Sequence, residues 1–104
     1  MEIGDLIDCV DRGLDEFGSS AKQSVYVMLT LRKNITYEQA VMEPELLVQT
    51  LQEVFDDSSE IVKRAIILQI IQTFGFKKSA SSYDMVGIMH LAMRRVSGIS
   101  TNLM

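Results

Sequence analysis

The sequence predicts an all-α protein: a compact bundle of four main helices plus a short helical turn, with a central apolar helix at 59–74. Three observations predict it. Apolar residues recur at steps of three and four, the spacing of one helix face. Thr, Asp, Ser and Pro stand where helices should start, and Gly where they should stop. The run from Ala65 to Ile71 is apolar nearly all round, with Gln69 the exception, as expected of a helix enclosed by others.

The first segment runs from Ile3 to Phe17, with Ile3, Leu6, Ile7, Val10, Leu14 and Phe17 as its apolar stripe and Gly18 as its stop. Ser20 with Gln23 has the spacing of a capping box and opens the second segment. Its run Val25–Leu31 is rich in β-branched and aromatic residues and also suits a buried strand, with Ile35-Thr36-Tyr37 as a partner. The start signal favours a helix, because a lone hairpin is marginal; Asn34 is its left-handed stop. Thr36 and Gln39 form another capping box for a short turn through Val41. Pro44 suits a first helical position, with Glu43 and Glu45 at the positive end of the dipole. This helix turns Leu47, Leu51, Val54 and Phe55 inward. After the polar Asp56–Ser59, Asp57 with Glu60 is expected to cap the central helix, which Gly75 ends with Phe76 folded back on its last turn. Ser81 and Asp84 offer starts for the last helix, expected to reach about Ser97 and stop at Gly98, with a frayed tail beyond.

The chain has 104 residues, 47 % of them hydrophobic and 23 % charged, with a net charge of −4. These values suit one domain over residues 1–104 and exclude whole-chain disorder. No apolar run is long enough to span a membrane. Met1–Asp5 lacks the basic n-region of a secretory signal. The single cysteine, Cys9, fits a reducing compartment, and a cytoplasmic chain is expected. One Cys and one His cannot build the usual zinc site, and no glycine-rich phosphate loop is present; no cofactor or metal is expected.

A family resemblance rests on Phe17-Gly18, Lys22 and Tyr26, the turn around Ile35, Pro44-Glu45, Leu51, Val54-Phe55, and the apolar helix ending Phe74-Gly75-Phe76. Over about residues 14–78 these positions resemble the small archaeal all-helical family of the Nitrosopumilus output domain type. The resemblance implies a signalling or interaction module with no reaction attached. It also implies a Phe-Gly-x-Gly-Ala turn before the central helix, where this chain has Phe55-Asp56-Asp57-Ser58-Ser59.

Candidate functional residues are few. Cys9 and His90 could form a nucleophile and base only if the first and last helices pack together; a buried thiol and a half-exposed structural histidine are the plainer readings. Arg94, one turn after His90, would favour the neutral imidazole. The acid pairs Asp15-Glu16 and Asp56-Asp57 sit beside helix ends, where capping accounts for them. Residues 1–60 hold 13 acids against 4 bases, and residues 61–104 hold 1 acid against 6 bases, dividing the charge into −9 and +5. The doublets Lys77-Lys78 and Arg94-Arg95 are the alternative site, for nucleic-acid phosphates; the acidic half opposes that use.

Met85, Met89 and Met93 recur every four residues on the last helix, joined by Val86 and Val96. Methionine is over-used on adaptable binding surfaces, so this stripe is the expected interface of a homodimer or with another protein. Gly87 within that helix costs about 1 kcal/mol relative to Ala, and close approach of a second helix would account for it. The expected function is a non-enzymatic interaction or signalling-output domain acting through an apolar helix face as a homodimer.

Overall fold

The computed structural model describes residues 2–101, with side chains described for residues 2–96. In order the elements are α1 (Ile3–Asp15), α2 (Ser19–Val27), a π-helical turn (Met28–Arg32), α3 (Tyr37–Val41), α4 (Pro44–Phe55), a 3-10 turn (Asp56–Ser58), α5 (Ser59–Phe74), a second 3-10 turn (Ala80–Ser82) and α6 (Met85–Thr101). There is no strand among the described residues, so the all-α class stands. No helix among them is long and apolar enough to cross a membrane.

α5 is the centre, with α1, α4 and α6 packed around it. Leu6, Val10 and Leu14 of α1 are fully buried, as the stripe predicts. Cys9 and Gly13 are buried too, which widens the buried face, because α1 lies so close to α5. A Cβ on Gly13 would stand 2.8 Å from the Cα of Ile66 and 2.6 Å from its Cγ1. Only a missing side chain allows backbone to meet backbone at that distance. Val62, Ile66, Ile70 and Phe74 fill the layer beneath.

α5 is less enclosed than its composition suggests. Ile61 is 63 % exposed and Leu68 42 %, so one face of the helix stays open between the neighbours that cover the rest. Its end is as expected: Gly75 is left-handed at φ 73°, and the N–H groups of Gly75 and Phe76 both donate to the Ile71 carbonyl, at 2.9 and 3.1 Å. That closes a Schellman turn and sets the Phe76 ring on Phe74, centroids 6.2 Å apart.

Val25–Leu31 is helical, with Val25 and Leu29 buried, and the strand alternative is excluded. The π turn was not foreseen: the Lys33 N–H reaches back five residues to the Met28 carbonyl at 3.2 Å. Asn34 stops it at φ 55°. The Thr36–Gln39 capping box forms in both directions, at 2.9 and 3.1 Å, and Pro44 opens α4.

Several boundaries differ from expectation. α1 stops at Asp15, leaving Phe17 exposed. α2 begins at Ser19 behind Gly18, and Ser20, rather than capping, lies inside it and accepts from the Ser24 hydroxyl. Val54 and Phe55 are half-buried rather than in the centre. Asp57 sits in the 3-10 turn, and α5 starts behind Ser58 without a side-chain cap. α6 passes Gly98 and runs to Thr101; the expected fraying falls partly on residues 102–104, outside the described ones. Asp84, one of the two expected starts, caps α6: its Oδ1 accepts from the Gly87 N–H at 3.1 Å. A Cβ on Gly87 would meet that Oδ1 at 2.5 Å, so Gly87 makes room for the cap and not for a second helix.

Asp56 joins α4 to the next turn at φ 48°, ψ −119°, a region that favours glycine. Two substitutions should therefore move stability in opposite directions. Asp56→Gly should raise it by about 1 kcal/mol through relief of strain. Gly13→Ala should lower it by about 1–3 kcal/mol, because the overpacking outweighs the gain in helix propensity. Urea unfolding midpoints of both variants check this.

Candidate functional site

Two methionines of the stripe are core: Met85 is 2 % exposed and Met89 0 %, with Ile88 and Ala92 buried beside them. Of the expected interface of Met85, Met89, Met93, Val86 and Val96, Met85 and Met89 are therefore corrected. Met93 and Val96 are partly buried and packed against the same core, and Val86 is half-buried. α6 turns this face onto α4, α5 and α1, and the flexible side chains fill space between them.

The basic group is divided. Lys77 and Lys78, in the connector after α5, and Arg94 on α6 are exposed. Arg95 is engaged: its guanidinium donates to the Phe74 carbonyl at the negative end of α5 and lies over the Phe76 ring, 4.2 Å from the centroid. Tyr83 leans on the same ring at 5.9 Å. Arg95 thus fastens the α5–α6 corner, which leaves the alternative site without one of its four cations. Phe76 is the aromatic ring beside this basic group, and Arg95 already occupies it.

Cys9 and His90 have separate partners. The Cys9 thiol is buried and donates to the Gln69 carbonyl at 3.6 Å; burial pushes its pKa up, the opposite of an activated nucleophile. The His90 Nε2 lies 3.2 Å from Glu45 Oε2, so α6 touches α4 across an exposed pair. Glu45's carboxyl is held below its usual range, first by a backbone N–H at the start of α4 and then by His90. Among the described residues no three His, Cys, Asp or Glu side chains converge as metal ligands.

Of the acid pairs beside helix ends, Asp15 has an ion-pair partner: Lys22 of α2 bridges Asp11 at 2.8 Å and Asp15 at 3.3 Å, tying α2 to α1. Beneath this bridge Tyr37 is buried and stacks on Tyr26 at 4.8 Å. Its hydroxyl finds no hydrogen-bond partner among the described residues, and burial pushes its pKa up.

A groove between α2, its π turn and α4 has a volume of about 590 Å³. Val27, Met28 and Val54 supply apolar lining, and Arg32 and Glu53 supply charge. Lys33 holds Glu53 Oε1 at 2.6 Å, which fixes one wall. Arg32 forms no ion pair among the described residues. Val27 is 44 % exposed, and Leu31, four residues on, is 77 % exposed. Val27 and Leu31 each follow buried Val25 and Leu29 by two residues, about 200° round the helix, so helical winding turns them to the outer face. Compared with protein-family models, curated proteins and solved structures, the chain matches none.

Because Met89 is enclosed, Met89→Lys should unfold the chain rather than release a folded monomer: a charge buried without a partner costs several kcal/mol, near the whole stability of a small domain. Circular dichroism should show lost helicity; a folded helical variant would return Met89 to the surface.

Proposed function

We propose that this chain is a non-enzymatic, cytoplasmic interaction or signalling-output domain that receives a protein partner in the groove between α2, its π turn and α4. One observation carries the reading: Val27 and Leu31 stand exposed at a groove that sets Val27, Met28 and Val54 among the polar Ser20, Gln23, Ser24, Arg32 and Glu53, while Met85 and Met89 are already used in the core. Fully burying a leucine is worth about 1.5–3 kcal/mol, so a partner covering Leu31 gains what folding leaves unused. A groove of this kind takes the apolar face of an amphipathic helix. The resemblance to the Nitrosopumilus output domain type supports the same reading. The separate engagement of Cys9 and His90 supports a role without chemistry. The nucleic-acid alternative loses support because Arg95 is held against Phe74 and Phe76.

Val27→Glu tests the reading. Val27 is partly exposed, so the variant should keep its circular dichroism spectrum while placing a charge in the groove. Chemical cross-linking in native lysate should give wild-type adducts, to itself or to another protein, that the variant loses. An identical set of adducts from both proteins would refute the groove as the binding site.

A further inference from the structure

We infer that the occupant of this groove is a second copy of the chain, with Leu31 of each protomer seated in the groove of the other. The inference rests on the groove being the binding site and names what fills it. The first argument is placement. A closed two-fold dimer needs one patch that carries both a projection and a recess. Leu31 is the most exposed large apolar side chain among the described residues, and it belongs to the same π turn whose Met28 and Arg32 line the recess. A projection and a recess on different faces would build an open-ended chain of molecules; here they adjoin.

The second argument is charge. The groove carries one base and one acid: Arg32, free of ion pairs among the described residues, and Glu53, which gives Oε1 to Lys33 and keeps its side chain 47 % exposed. Across a two-fold axis, Arg32 of one protomer faces Glu53 of the other, and the contact occurs twice. With opposite charges side by side, the patch complements itself better than it complements a strongly acidic or strongly basic partner. Size permits the contact: a standard interface takes about 800 Å² per partner, a small share of the chain's 6132 Å² surface.

Light scattering on the purified chain should give twice its 11.7 kDa mass. Leu31→Asp, at a site too exposed to matter for folding, should keep full helicity and be monomeric. Arg32→Glu and Glu53→Arg should each weaken the dimer at least about tenfold through like-charge contacts. Mixed together, the two variants should form a heterodimer, because both contacts are then restored. A wild-type chain that stays monomeric up to about 1 mM overturns the inference, as does a dimer that survives Leu31→Asp. Folded charge variants that fail to associate on mixing overturn the proposed pairing. If the wild type is monomeric while Val27→Glu still loses a cross-linked partner, the second copy falls and the interaction groove stands; if no adduct depends on Val27 either, both fall.

Discussion

The crossing of α1 over α5 at Gly13 and Ile66 sets the arrangement of everything else. With no side chain at Gly13, the α1 backbone settles onto α5, and the stripe Leu6–Val10–Leu14 closes over Val62, Ile66 and Ile70. Such close approach concentrates dispersion contacts along the whole length of both helices. It also determines what α1 and α5 leave uncovered. α6 and α4 come in on the flanks of α5, and α6 supplies the thickest side chains of that layer, Met85, Met89 and Ile88. The methionines are core because the gap beside the α1–α5 pair has to be filled by something long and adaptable.

Once the methionine face is inside, the apolar surplus of the chain lies elsewhere. Much of it lies on the open face of α5 and at the end of α2, with Met42 and Phe17 exposed besides. Val25 and Leu29 face inward, while Val27 and Leu31, about 200° round the helix from them, face outward. The Lys33–Glu53 pair then braces the π turn against α4, so the groove has a wall that does not depend on a partner. Exposed pairs of this kind add little stability; their effect is to orient the side chains that line the recess.

The charges are used in the same local way. Lys22 draws α2 onto α1, His90 and Glu45 connect α6 with α4, and Arg95 closes the α5–α6 corner on Phe74 and Phe76. Between the acidic and basic halves of the sequence, His90–Glu45 and Lys63–Glu60 pair, while Lys22 and Lys33 pair within the acidic half; Arg32 forms no ion pair among the described residues.

Local signals were legible in the sequence because their physics is local. The Thr36–Gln39 box, Pro44 at the start of α4, Asn34 and Gly75 as left-handed stops, and the Asp84 cap each act within a few residues, and each is found where those residue types predict. The buried stripes of α1 and α4 followed from 3.6-residue spacing. The sequence could not decide which apolar face meets which neighbour. Periodicity marks a face as apolar without saying whether the rest of the molecule covers it, so Met85 and Met89 read like an interface. Gly13 and Gly87 show the same limit: one glycine admits a helix and the other admits only a carboxylate. Tertiary structure made those distinctions, because the space around a side chain is set by residues far away in the chain, here chiefly by how closely α1 can lie on α5.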